Sequence, residues 1–138
     1  MRNATVYTLL GTLKTARWIE ARQDGDHESL HTTGPGAAEL AGRVEDEVRS
    51  GDLTGGPSYI TALAYLSIMP AERAVDALHA RAAALADEAE RLQATLDRTG
   101  APEVHMIEAH YLLARLHHDR QWLTATAQRI RACELPWP

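Results

Sequence analysis

Residues 70–99 read PAERAVDALHARAAALADEAERLQATLDRT. Val75, Ala82, Ala89 and Leu96 fall seven apart, and Leu78, Leu85 and Leu92 each lie three after one of them. This is an a/d heptad over three repeats with small residues at a, and it predicts one long helix carrying a coiled-coil seam. Pro70 suits the helix start, and Thr99-Gly100-Ala101-Pro102 ends it. Residues 103–133 repeat the pattern. Ala109, Leu116, Leu123 and Ile130 form one column, and Met106, Leu113 and Ala127 form a second that Arg120 interrupts. So short a break between two long helices predicts an antiparallel helical hairpin. Two helices cannot bury both flanks, so a second copy of the chain is the expected cover and a homodimer the expected state.

Upstream of the hairpin, residues 58–69 predict a short apolar helix with Ile60, Leu63, Ala64, Leu66 and Ile68. Asp52 to Pro57, with Gly55-Gly56-Pro57, is the clearest boundary in the chain and separates domains at 1–50 and 58–138. Residues 35–50 predict a helix with Pro35 in its first turn, an apolar stripe of Ala37, Leu40, Ala41, Val44 and Val48, and Gly51 as its stop. In residues 18–32, Asp24-Gly25 is a tight-turn signal between two short β segments, hence a β-hairpin that must lie against helices. Residues 3–17 predict an opening helix capped by Asn3, with Val6, Leu9, Leu10 and Leu13 on one face.

Composition narrows the class. The chain has 138 residues, 45% hydrophobic and 24% charged, as expected of a globular protein of one domain, or of a small domain with an appendage. Aromatics are 5% and Phe is absent, which suits closely packed helices better than a β-sandwich. No apolar run is long enough for a membrane span, and Met1-Arg2-Asn3-Ala4-Thr5 leads into no signal-like segment. Cys133 is the single cysteine, which excludes an intramolecular disulfide framework, and a reducing cytoplasm is the expected location. The net charge of −5 is uneven. Residues 1–22 hold Arg2, Lys14, Arg17 and Arg22 against Glu20, whereas residues 23–50 hold seven acids against Arg43 and Arg49. A basic end on an acidic body argues against general nucleic-acid affinity but permits a small basic reading element.

Catalytic chemistry finds little footing. His105, His110, His117 and His118 share one helix with Glu108 and Asp119, and Asp76 and His79 have carboxylate–imidazole spacing once. A metal site in a helical bundle needs a second such pair, so no metal or other cofactor is expected. Cys133 lies near no helix N-terminus, Ser58 and Ser67 lack a nucleophile-elbow context, and Gly34-Pro35-Gly36 and Gly55-Gly56 lack phosphate-binding partners. The expectation is a protein that is not an enzyme.

A polar-faced helix followed at once by a hairpin is the back half of a winged helix-turn-helix, in which the helix enters the major groove and the hairpin touches backbone or minor groove. Helix–hairpin pairs are also common without DNA. Ala4-Thr5-Val6-Tyr7-Thr8-Leu9-Leu10-Gly11-Thr12-Leu13-Lys14 and Trp18-Ile19-Glu20-Ala21-Arg22 resemble the recognition helix and first wing strand of PadR-like transcriptional regulators. His31 to Leu40 resembles the second wing strand and the following helix, with Thr33, Gly36 and Leu40 on the family's Thr-x-x-Gly-x-x-x-Leu pattern. Ala62-Leu63-Ala64-Tyr65-Leu66, Pro70-Ala71-Glu72-Arg73-Ala74 and Gln121-Trp122-Leu123 are similar to the virulence-activator-type C-terminal domain of that family, an antiparallel dimerisation module.

The resemblance implies a mainly α chain: a truncated winged helix-turn-helix with a small wing, joined to a helical-hairpin dimerisation domain. It implies a cytoplasmic regulator, a repressor, that binds a two-fold operator in double-stranded DNA as a homodimer. The alternative is a non-DNA-binding dimerisation or ligand-binding module derived from one. The DNA-facing candidates are Arg2, Asn3, Thr5, Tyr7, Thr8 and Lys14 on the helix, with Arg22 and His27, and also His31, on the wing. Arg and Asn can read base edges, while hydroxyls and Lys more often hold phosphates. A small aromatic or hydrophobic effector is implied, with Tyr111, Leu116, Trp122 and Leu123 as candidate lining. The family carries two helices ahead of the recognition helix, and this chain is expected to begin inside that helix and to bind DNA weakly without them. Its wing also departs from the family's basic pattern, with Asp24, Asp26 and Glu28 where phosphates would repel them.

Overall fold

The structure is a computed structural model describing residues 2–138, with side chains from Val6 onward. It is mainly helical with one small antiparallel sheet. The chain forms two compact units that divide between Arg43 and Val44, inside a helix.

The first unit opens with α1 (Arg2–Thr15). The helix already includes Arg2, so Asn3 lies within it and not at its cap. The α1 ladder closes with Ala16 N–H donating to Thr12 O at 3.0 Å and Trp18 N–H to Leu13 O at 3.0 Å. Between them Arg17 takes a left-handed φ of 60°, a conformation usually left to Gly. Strands β1 (Ile19–Asp24) and β2 (His27–Thr32) pair antiparallel, from Ile19 opposite Thr32 to Asp24 opposite His27. The two-residue loop is therefore Gly25-Asp26, one position later than the Asp24-Gly25 signal suggests. Gly25 supplies φ 62° at the first loop position, where a II′ turn needs it.

The helix that follows, α2 (Gly34–Ser50), starts on a built junction. Thr33 N–H donates to Trp18 O at 2.9 Å. The Thr33 hydroxyl donates to Arg17 O and accepts from Gly36 N–H at 3.1 Å, the hydrogen bond of an N-cap. A Cβ on Gly36 would stand 1.9 Å from Trp18 O, so only glycine fits. The Thr-x-x-Gly spacing thus has a mechanical meaning: the hydroxyl caps the helix and the missing side chain lets its first turn meet the α1–β1 corner.

The second unit contains the end of α2, then α3 (Pro57–Ala64), a 3-10 turn (Leu66–Ile68), α4 (Ala71–Thr99), a second 3-10 turn (Glu103–Met106) and α5 (Ile107–Arg131). The expected 58–69 helix is interrupted at Tyr65, and the expected 103–133 helix begins as a 3-10 turn. Helices α4 and α5 pack on each other. Val75, Leu78, Ala82, Leu85 and Ala89 from α4 are buried, as are Leu113, Leu116, Leu123, Ala127 and Ile130 from α5. The heptad seam is therefore filled within one chain. It fades at Leu92 and Leu96, which are half-buried. Gly100, φ 61°, ends α4 in the left-handed conformation that glycine adopts most readily. Trp137 closes the chain by donating its Nε1–H to Met69 O at 2.9 Å.

The Asp52–Pro57 stretch lies inside the second unit and is clamped. Arg81, 1% exposed, sends Nη1 to Val48 O and Gly51 O at 3.3 and 3.2 Å and Nη2 to Asp52 O at 2.6 Å. Its guanidinium also lies 3.6 Å from the Tyr59 ring centroid. A buried cation is thus held by the carbonyl end of α2 and an aromatic face, with the Asp52 carboxylate near enough to add an electrostatic attraction. Arg115 Nη2 adds a 2.7 Å bond to Thr54 O. These clamps, with Val44 and Val48 in the core, place the end of α2 in the second unit and put the division at Arg43–Val44.

Candidate nucleic-acid interface

The candidate surface lies on α1 and the hairpin, within the first unit. The side chains of Arg2, Asn3 and Thr5 fall outside the described residues. Tyr7 is 75% exposed, so most of its ring is open to solvent. It lines a shallow groove of about 340 Å³ with Leu10, Gly11, Lys14, Glu28 and Leu30. Thr8 is exposed, whereas Thr12 and Thr15 turn their hydroxyls back onto the Thr8 and Gly11 carbonyls at 3.0 and 2.9 Å. The structure thus brings Tyr7 and Lys14 together and sets both against β2.

Two cations of this surface, Lys14 and Arg22, are answered by acids. Lys14 Nζ lies 3.3 Å from Glu28 Oε1, joining α1 to β2. Arg22 Nε donates to Glu20 Oε1 at 2.8 Å along β1. His27 is exposed at the hairpin end opposite Asp24, and His31 Nε2 stands 2.8 Å from Ser29 Oγ. Arg17 makes no ion pair among the described residues and projects from the α1–β1 corner. Its left-handed backbone follows from the tertiary corner and leaves no periodic signal in the sequence.

The apolar side of α1 is open. Val6 is 54% and Leu9 58% exposed, and no described side chain of α1 is buried. Leu13 lines a second groove of about 270 Å³ with Trp18, Ile19, Thr32, Gly36, Glu39, Leu40 and Arg43. The Arg43 guanidinium lies 5.2 Å from the Trp18 ring centroid and rims this groove.

The effector candidates separate. Leu116 and Leu123 are 3% and 0% exposed in the α4–α5 seam, where they hold the hairpin closed. Tyr111 and Trp122 lie on a different face of α5 and are exposed. Trp122 borders a cavity of about 270 Å³ with Gly55, Tyr59, Ile60, Leu63, Arg115, His118 and Asp119. Burial raises the Tyr59 hydroxyl above the usual phenol range against the opposing pull of Arg81. Among the described residues no three His, Cys, Asp or Glu side chains converge as metal ligands.

Two carboxylates are tuned by structure. Partial burial pushes Glu45 up, but hydrogen bonds and charge from Arg49, at 2.9 Å, and Arg73 outweigh it and hold it below the ordinary range. Asp52 is lowered by the backbone N–H and hydroxyl of Thr54, at 2.9 and 2.8 Å. Both brace the end of α2 and neither faces the candidate surface.

Comparison of the chain with protein-family models, with curated proteins and with solved structures gives no match. No helix among the described residues is long and apolar enough to cross a membrane.

Proposed function

We propose that this chain is a PadR-like transcriptional regulator, a repressor, that binds duplex DNA through α1 and the β1–β2 hairpin. The observation that carries the reading is the α1–hairpin–α2 junction. A helix with exposed Tyr7, Thr8 and Lys14 passes through a tight corner into a hairpin whose return strand is capped onto the next helix by Thr33 and Gly36. Such a corner fixes helix and hairpin in one orientation, which groove recognition requires. The small number of free cations makes weak, salt-sensitive affinity the expectation.

The test is anisotropy of a labelled duplex from the promoter of the protein's own gene, against a random duplex, at roughly 50 and 200 mM salt. Preferential binding of the promoter duplex supports the reading. Absence of binding at the lower salt overturns it in favour of a dimerisation module.

The homodimer belongs to the same proposal, on a different face from the heptad seam. Val104, Ile107, Tyr111 and Trp122 are exposed along one side of the second 3-10 turn and α5, away from the buried columns. An apolar ridge of this kind on a helix is a surface a second copy can cover. Light scattering checks it: the wild-type chain is expected to be a dimer and Ile107→Asp a folded monomer.

A further inference from the structure

Within the first unit, one contact bears directly on how tightly such a surface holds DNA. Lys14 is the last-turn cation of α1, and its ammonium is 3.3 Å from the Glu28 carboxylate on β2. Both side chains are about half exposed, at 44% and 55%, so the pair sits in water and is weak enough to exchange. Its geometry is not local: residues fourteen apart meet only because the hairpin folds back beside the helix. The groove around them is otherwise uncharged, lined by Tyr7, Leu10, Gly11 and Leu30.

We propose that Glu28 is a specificity-determining residue, one that holds down affinity for generic duplex by neutralising Lys14; the proposal rests on the DNA-binding reading above. A lysine gains affinity for DNA by releasing a counterion from a phosphate. While Lys14 is bound to Glu28, a phosphate must displace a carboxylate that also repels it. Only a duplex held closely enough by the rest of the surface repays that exchange, so a random duplex leaves the pair intact. The acid in the wing then lowers background binding without touching a base.

The experiment measures binding of the full chain to a random-sequence duplex over a salt series, for the wild type, Glu28→Gln, Lys14→Gln and the double variant, with far-UV circular dichroism confirming equal helix content. Glu28→Gln is expected to bind roughly two- to fivefold tighter. Its log–log salt slope is expected to steepen by about one, the signature of one more neutralised phosphate. Lys14→Gln alone, which leaves the Glu28 carboxylate uncompensated, is expected to bind no tighter than the wild type, and the double variant to lose the gain. If wild type and Glu28→Gln bind equally, the inference fails while the DNA reading stands. A gain that survives in the double variant also overturns it, since Glu28 would then act by bulk repulsion and not through Lys14. No binding by either wild type or Glu28→Gln at low salt removes both the inference and the DNA reading.

Discussion

The two units are held by different forces. Among the described residues, the first unit buries only Gly36 and Ala41, whereas the second buries eighteen apolar residues and the cation Arg81. The first is therefore a local structure, maintained by a two-residue turn, a ladder of strand hydrogen bonds and the Thr33 cap. The second is a hydrophobic core, in which each fully buried leucine is worth about 1.5–3 kcal/mol. Regions with little burial open at low free energy, which is where binding elements are commonly drawn from. The candidate DNA surface lies on the weakly held unit, and the dimer ridge on the strongly held one.

That contrast is most directly broken by truncating one leucine in each unit. Leu123→Ala, at a fully buried position of α5, is expected to cost about 2–5 kcal/mol in denaturant unfolding followed by helix content. Leu9→Ala, at a position 58% exposed, is expected to cost under about 0.5 kcal/mol. Equal costs would mean that the first unit has a core of its own.

Arg81 sharpens the comparison from the polar side. Arg81→Met keeps the volume but leaves the Val48, Gly51 and Asp52 carbonyls without their donor, at an expected cost of about 1–3 kcal/mol. Arg81→Lys is expected to recover little of it, since one ammonium cannot span the three carbonyls and stack on Tyr59.

Gly36→Ala probes the other unit. The new methyl would overlap Trp18 O, and the expected cost of about 1–3 kcal/mol should fall on the junction alone. Amide chemical shifts of β1, β2 and the start of α2 should change, while those of α4 and α5 stay. Changes reaching α4 and α5 would show that the units do not hold themselves separately.

The smallest effect is set by pH. Glu45 has its folded pKa lowered, so its ion pairs add stability above the ordinary carboxylate range, and that stability is lost as pH falls through the folded value. Glu45→Gln is expected to cost about 0.2–1 kcal/mol at neutral pH, since Arg49 and Arg73 are partly exposed. The difference from wild type should vanish in acid. A difference that persists there would assign the effect to packing.

Much of this molecule was legible in its residues. The seven-residue spacing of Val75, Ala82 and Ala89, and the columns of Leu116, Leu123 and Ile130, determined two long helices and the faces they bury against each other. Gly25 determined a hairpin turn to within one residue, and Gly100 a helix end. These signals are local, because a helix or turn is selected by neighbours within a few positions. The tertiary structure alone decided what each surface is left with. Arg81 falls at a heptad position that periodicity assigns to no face of interest, yet it binds the end of α2, some thirty residues earlier. Leu116 and Trp122, both candidate effector contacts, are six residues apart on one helix and face a core and a solvent-exposed cavity, respectively. Lys14 reads as a free cation until β2 returns beside α1 and sets Glu28 against it. Charge pairing depends on the rotation of a helix and the register of a strand together, and neither is encoded in the spacing of either partner's own segment.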